Sequence, residues 1–142
     1  MVRKYSKLIA ISRLIRLPNL LIIVLTQSLI RWSLMGPLLG AKGLSLQMSD
    51  WLFVAMMLAT VLISAGGYVI NDYFDRKIDT VNDPEDVIVG YSVSLRNTMA
   101  LHLVLTSLGI LLGFYVAFRV HYFYLGVLFL LGAGILWFYS TT

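Results

Sequence analysis

Nearly all the carboxylates of this apolar chain lie in one short stretch, residues 66–90. They are Asp72, Asp75, Asp79, Asp83, Glu85 and Asp86. If residues 71–79 form a helix, 100° per residue places Asn71, Asp72, Asp75 and Asp79 within an arc of about 100°. Carboxylates on one face, with room for water and phosphate oxygens, are typical of proteins that hold Mg²⁺ on a diphosphate. The spacing predicts a Mg²⁺ site whose metal neutralises a departing diphosphate.

A second interpretation of the acidic stretch is a solvated cap with no ligand. Carboxylates near the C-terminus of a helix oppose its macrodipole and repel one another, so something cationic should offset them. Arg76 and Lys77 project from other faces of the same helix. We therefore expect a bound cation rather than a neighbouring side chain on the same helix.

The elements that must position this stretch are membrane-spanning helices. The 142-residue chain is 59% hydrophobic and 13% charged, and its mean hydropathy is +0.86. Apolar runs of about 20 residues match the hydrocarbon core of a bilayer, and helices satisfy their own backbone there. Four spans are predicted, at about 17–35, 51–70, 99–117 and 122–139. The sequence predicts an all-α integral membrane bundle that occupies residues 1–142 as one domain.

The basic residues are distributed unequally between the two sides that these spans define. One side holds Arg3, Lys4, Lys7, Arg13, Arg16, Arg76, Lys77 and Arg96, and the other holds Arg31, Lys42 and Arg119. This asymmetry predicts a multi-pass protein whose N-terminus and Asp-rich loop are cytoplasmic. The basic residues form no single patch, so we expect no nucleic-acid partner. The absence of cysteine excludes disulfides and thiolate metal sites.

Polar residues of the first span share one face. Arg16, Asn19, Gln27 and Arg31 fall within an arc of about 120° on a helical wheel. They either form a cavity wall continuous with the acidic stretch, or hydrogen-bond between helices while the two arginines extend to opposite interfaces. We favour the second interpretation for Arg31, and both stay open for Gln27.

A histidine in the third span and two glycines in the second span can contribute to helix packing. His102 is expected to be a hydrogen-bonded packing residue rather than a metal ligand. Gly66 and Gly67, which precede the acidic stretch, allow close approach of either another helix or a substrate.

Several segments resemble one family of membrane enzymes. "NDYFDRKID" followed by "VNDPEDVIVG" resembles the first Asp-rich signature of the UbiA family of membrane prenyltransferases, and "RLPN", "SAGGYVINDYFD" and "LWFYSTT" extend the similarity. The nearest resemblance is to the geranylgeranylglycerol-phosphate geranylgeranyltransferase-like branch. The resemblance implies a helical bundle with a lateral cavity, in the plasma membrane of a prokaryote. It also implies Mg²⁺ held by two Asp-rich motifs, and transfer of a prenyl group from a prenyl diphosphate to an aromatic or lipid acceptor.

The resemblance also assigns residues. Asn71, Asp72, Asp75 and Asp79 would bind Mg²⁺ and diphosphate, with the three aspartates catalytic and metal-binding. Asn19 would line the substrate cavity.

Two departures from the family pattern stand against this assignment. Asp83 and Asp86 occupy positions where the resemblance leads us to expect basic residues, and a carboxylate there would repel a diphosphate. The chain also resembles only the first half or so of a usual member, without the second motif, so we expect a truncated domain.

Three functions follow from these observations. The first is a Mg²⁺-dependent prenyltransferase surrounded by membrane lipids. The second is a truncated, non-catalytic relative that binds prenyl diphosphate or Mg²⁺, or completes its site with a partner chain. The third is a small cation pathway with the acidic stretch as its mouth, which is weakened because no acidic residue lies inside a span.

Overall fold

Residues 5–82 and 85–141 are described by the computed structural model, and within them the chain is helical apart from its loops. The helices are α1 (Lys7–Leu14), α2 (Leu17–Ser28), a π-helical segment (Leu29–Met35), α3 (Gly36–Ala41), α4 (Asp50–Asn82), α5 (Leu95–Arg119) and α6 (Phe123–Thr141). The described residues contain no strand, and a single bridge joins Val89 to Val93. The predicted all-α class is confirmed.

Four helical segments are long and apolar enough to cross a membrane. They are Leu17–Ala41, which combines α2, the π-helical segment and α3, and then Asp50–Asn82, Leu95–Arg119 and Phe123–Thr141. Each contains most or all of one predicted span and extends beyond it. The 33 residues of α4 measure about 50 Å, against a hydrocarbon core of roughly 30 Å. Residues 51–70 carry no charge whereas the last turns of α4 are acidic, so we place the acidic end of α4 beyond the apolar layer.

Small residues bring the long helices into backbone contact. α4 packs along α5, and both helices contact α6. A Cβ atom added at Gly66 would collide with the Thr106 hydroxyl of α5, and one added at Gly67 would lie 2.9 Å from Leu136 Cδ1 of α6. The two glycines therefore allow close helix packing, as one of the two sequence interpretations expected, and the approach of a substrate to them stays a prediction.

Helix α1 was not predicted from the sequence. It is separated from α2 by a short turn in which Arg16 adopts a left-handed conformation, with φ of 51°. Ala10 and Leu14 are fully buried, and Leu14 packs with Val69 of α4 and Val89 of the following loop. These contacts hold α1 across the end of the bundle that carries the acidic stretch.

The loop between α4 and α5 folds back onto that same end. Val87, Ile88 and Val89 are buried, although they lie outside the predicted spans. Gly90 has φ of +86°, and a Cβ atom there would lie 3.0 Å from Arg76 Nε. The left-handed turn at Gly90 thus lets the loop reverse against α4, and brings a second wall to the acidic stretch.

Candidate functional site

The acidic stretch begins in the last turns of α4, which runs unbroken to Asn82, and its Glu85 and Asp86 lie in the loop that follows. The sequence between Tyr68 and Asn82 contains neither proline nor glycine, so nothing in it interrupts the helix. The predicted helical continuation through residues 71–79 is confirmed. Asp83 lies outside the described residues.

A cavity of about 200 Å³ opens beside this part of α4, and we call it the acidic cavity. It is lined by Arg16, Asp72, Asp79, Asp86, Val87, Ile88 and Val89. Its walls come from the turn before α2, from α4 and from the loop after α4. Among the described residues, one guanidinium and three carboxylates line it, so it offers oxygen ligands to a hard cation.

The cation closest to Asp72 is a protein side chain. Arg16 Nη2 donates a hydrogen bond to Asp72 Oδ1 at 3.0 Å, and the two side chains are 46% and 21% exposed. The guanidinium also lies 5.2 Å from the centre of the Tyr68 ring. Arg16 immediately precedes α2, and its backbone has a left-handed conformation that is uncommon outside glycine. The sequence predicted a bound cation as the offsetting charge, and in the structure a guanidinium from 56 residues earlier contacts Asp72.

The remaining polar residues of the motif interact with each other. Asn71 Nδ2 donates to Asp75 Oδ2 at 2.5 Å. Asp75 and Asp79 lie close enough to Asp72 to repel its negative charge. In the described part of the chain, no group of three or more His, Cys, Asp or Glu side chains is arranged to hold a metal. The residues of the motif therefore lie at one helix end, but among the described residues they do not form a preformed metal site.

Arg16 also lines a second cavity, of about 300 Å³. It is lined by Arg16, Ser64, Gly67, Tyr68, Asn71, Leu136, Tyr139 and Ser140, and we call it the hydroxyl-lined cavity. Asn71 therefore faces a different space from Asp72, although the two residues are adjacent. Arg16 lines both cavities.

Asn19 lies apart from the aspartates. It lines a third cavity of about 480 Å³ together with Ser12, Arg13, Arg16, Leu17 and Pro18. Its backbone N–H donates to the Arg16 carbonyl at 2.8 Å, in the first turn of α2. The described contacts give Asn19 a role in starting this helix, and its predicted role in the substrate cavity stays a prediction.

Asp86 is bound by residues of the N-terminal segment. Arg13 donates to both carboxylate oxygens, at 3.1 Å from Nη1 to Oδ1 and 3.0 Å from Nη2 to Oδ2. The Tyr5 hydroxyl donates to Oδ1 at 2.6 Å, and the Arg13 guanidinium lies 4.6 Å from the centre of the Tyr5 ring. The hydrogen bond to Asp86 raises the pKa of Arg13. The Asp86 carboxylate, which we expected to repel a diphosphate, is thus paired with the Arg13 guanidinium.

Arg31 and Gln27 lie toward the opposite end of α4. Arg31 is 7% exposed and donates to Asp50 Oδ1 at 2.8 Å and to the Met48 carbonyl at 2.6 Å. Gln27 lines a cavity of about 290 Å³ with Arg31 and Phe53. These contacts support helix–helix hydrogen bonding for Arg31, and place neither residue in the acidic cavity.

His102 is a packing residue, as predicted. It is 6% exposed, and its Nδ1–H donates to the Gly66 carbonyl at 2.9 Å, because a carbonyl can only accept. Its ring lies 5.4 Å from the Trp137 ring, centre to centre. His102 thus ties α5 to α4 and α6 beneath the acidic cavity.

Comparison with known proteins matches most of the chain to one family. A sequence profile of the UbiA prenyltransferase family matches residues 16–141. The digeranylgeranylglyceryl phosphate synthase of Halobacterium salinarum is 51% identical over 47 residues, which are 33% of this chain and 17% of that relative. The synthase of the same name from Ignicoccus hospitalis is 51% identical over 51 residues, covering 36% and 17%.

A third relative has a different name. The bacteriochlorophyll synthase 34 kDa chain of Chloroflexus aurantiacus is 35% identical over 81 residues, covering 56% of this chain and 26% of its own length. The matched stretches thus span less than a third of each of these relatives. No solved structure shows a significant match to the chain.

Proposed function

The chain belongs to the UbiA prenyltransferase family, and we propose from this premise that it takes part in moving a prenyl group from a prenyl diphosphate to an acceptor within the membrane. The observation that carries the proposal is the acidic cavity, where Asp72 and Asp79 of one helix face Arg16 and the loop after α4. The names of the relatives support a lipid or aromatic acceptor.

The position of the acidic cavity suits a substrate with a charged head and an apolar tail. The cavity lies at the end of α4 that extends beyond the apolar layer, whereas the rest of α4 is apolar. A diphosphate would lie among charged groups at this end while its prenyl chain follows the apolar helices. In our proposal this end faces the cytoplasm, because most basic residues lie on that side.

The donor chemistry of the acidic cavity fits Mg²⁺. This ion prefers oxygen ligands, and proteins usually bind it through one or two carboxylates plus substrate phosphates rather than through a complete protein cage. A site without a ready-made group of three carboxylates is therefore compatible with Mg²⁺. We propose that Asp72 and Asp79 hold the metal, with Asp75 beside them. Bound there, Mg²⁺ would offset the negative charge of the departing diphosphate.

The other residues of the site position charges and hydrogen bonds. Arg16 holds Asp72 at 3.0 Å, and its guanidinium has donors that also match phosphate oxygens. Asn71 orients Asp75 through the hydrogen bond between them. The hydroxyls of Tyr68, Tyr139 and Ser140 in the adjacent cavity could orient the polar group of an acceptor. Asn19 keeps its proposed place along the substrate path.

The experiment measures diphosphate release by the purified protein in lipid nanodiscs, with a prenyl diphosphate, an acceptor and Mg²⁺. Asp72→Asn, Asp75→Asn and Asp79→Asn should each reduce the rate by about 100-fold or more, since each removes charge that would hold the metal. Chelation of Mg²⁺ should abolish the rate. Asp50→Asn is the control, because it makes the same change at the opposite end of the same helix, where the amide oxygen can still accept from Arg31; the folded variant should retain the rate.

Two results would contradict the proposal. Wild-type rates in all three aspartate variants would exclude the acidic cavity as the site. A wild type that binds inorganic diphosphate with Mg²⁺ but transfers no prenyl group would instead identify a non-catalytic relative.

A further inference from the structure

The pair formed by Arg13 and Asp86 lies at the wall of the acidic cavity. Asp86 contributes to the cavity lining together with Asp72 and Asp79. Arg13 reaches it from the last turn of α1 and makes a two-pronged contact with both oxygens. The side chains are 42% and 48% exposed. The pair is therefore accessible to solvent and close to the space where an anion would bind.

Packing contacts besides the ion pair also hold the segment that carries Arg13. Its neighbour Leu14 is fully buried, as is Ala10, and Leu14 packs against Val69 and Val89. The backbone N–H of Tyr5 also donates to Ser92 Oγ at 3.0 Å. Because this packing already holds α1 against the loop, the guanidinium is available to change the charge of the cavity rather than to attach the helix.

The charges that line the acidic cavity disfavour an anion. Among the described residues, its lining has one guanidinium and three carboxylates. Carboxylates outnumber guanidinium groups in this lining, which disfavours a diphosphate, and each cation nearby weakens that repulsion. Arg13 places one more positive charge against the carboxylate that comes from the loop.

We propose that Arg13 is a positioning residue for anion binding, which cancels the charge of Asp86 so that the acidic cavity accepts a diphosphate. The proposal rests on the proposed function, since it names a further residue of the same site. It differs from a purely mechanical role in which the ion pair holds α1 onto the loop. In the mechanical role either partner is equally needed, whereas in the electrostatic role Arg13 is needed only while Asp86 is charged.

The test is a double-mutant cycle with Arg13→Gln, Asp86→Asn and the double variant. Two dissociation constants are measured for the full chain in nanodiscs: inorganic diphosphate at saturating Mg²⁺, and Mg²⁺ alone. Arg13→Gln should weaken diphosphate binding about five- to tenfold and tighten Mg²⁺ binding about twofold, because it removes one positive charge from the region. Asp86→Asn should leave diphosphate binding unchanged or tighter. The double variant should return within about twofold of wild type.

Two further variants separate charge from folding. Arg13→Lys keeps the charge and should bind diphosphate within about threefold of wild type. Lys7→Gln removes one positive charge from the first turn of the same helix and should change binding less than Arg13→Gln does. Circular dichroism in detergent should show the same helix content for every variant.

The proposal is overturned if Arg13→Gln, Asp86→Asn and the double variant weaken diphosphate binding equally, or if Mg²⁺ and diphosphate affinities fall together. It is also overturned if the wild type binds no diphosphate. A wild type that binds diphosphate and follows the predicted cycle, but transfers no prenyl group, contradicts the proposed function alone.

Discussion

The two ends of α4 carry the same kind of ion pair in different surroundings. At one end Arg31 contacts Asp50 at 2.8 Å and is 7% exposed. At the other end Arg16 contacts Asp72 at 3.0 Å and is 46% exposed. The chemistry of the two pairs is alike, and only their burial and further partners differ.

The further partners explain what each pair does. Arg31 also donates to the Met48 carbonyl at 2.6 Å and lies 4.7 Å from the centre of the Phe53 ring. A buried guanidinium with backbone and aromatic partners holds neighbouring segments together, and its removal lowers the free energy of unfolding. Arg16 lines three cavities, where water or an anion can replace Asp72 as its partner. The comparison separates a structural arginine from one at the candidate site.

Replacing Arg31 and replacing Arg16 should give the largest difference in stability. Arg31→Ala should lower the free energy of unfolding by about 2–3 kcal/mol, because it removes several hydrogen bonds and buried packing. Arg16→Ala should lower it by less than about 1 kcal/mol, as is usual for an exposed ion pair. Thermal unfolding in detergent, followed by circular dichroism, measures both. Equal losses at the two ends would break the comparison.

The packing beneath the acidic cavity should matter more than the ion pairs above it. Gly66→Ala should destabilise the protein by about 1–3 kcal/mol, because the new methyl group collides with Thr106 on α5. Gly40→Ala is the matched control in α3, where an added Cβ atom meets nothing within 4 Å. It should be neutral or stabilising by up to about 1 kcal/mol. The same unfolding measurement applies, and similar losses for both variants would show that this helix contact is loose.

Arg16 should compete with a metal for Asp72. Arg16→Gln should tighten the binding of Mg²⁺ alone by about three- to tenfold, since it removes a cation from the carboxylate that would bind the metal. Isothermal titration calorimetry measures this, with Arg119→Gln as a control far from the acidic stretch along the sequence. Unchanged Mg²⁺ affinity in Arg16→Gln would mean that Asp72 does not take part in metal binding.

The smallest effect is expected near Arg31. Among the described residues Gln27 Oε1 is buried and has no hydrogen-bond partner. Gln27→Leu should therefore be neutral or stabilising by about 1 kcal/mol at most, because an unpartnered buried oxygen is removed. The exposed Gln47, changed to leucine in the same way, should have no measurable effect. A clear loss of stability in Gln27→Leu would show that this side chain has a polar role.

The sequence predicted the membrane helices and the helical acidic stretch, and much less of their surroundings. The period of 3.6 residues was enough to place Asp72 and Asp79 on one side of α4, and both line the acidic cavity. It could not find the contact of Arg16 with Asp72, which are 56 residues apart. Helix α1 was missed because its basic residues were interpreted as topology signals. The roles predicted for Asn19, Asn71, Asp72, Asp75, Asp79 and the metal stay predictions.

The sequence by itself determined that this protein is a helical membrane bundle with one carboxylate-rich helix end. Hydrophobic length and helical period are local properties, and a chain carries them wherever it folds. Only the tertiary structure decided which cations meet those carboxylates. Arg13 and Arg16 reach Asp86 and Asp72 because α1 reverses across the end of the bundle, and its buried Leu14 packs against Val69 and Val89. Such contacts join distant parts of the chain, so they depend on packing rather than on spacing.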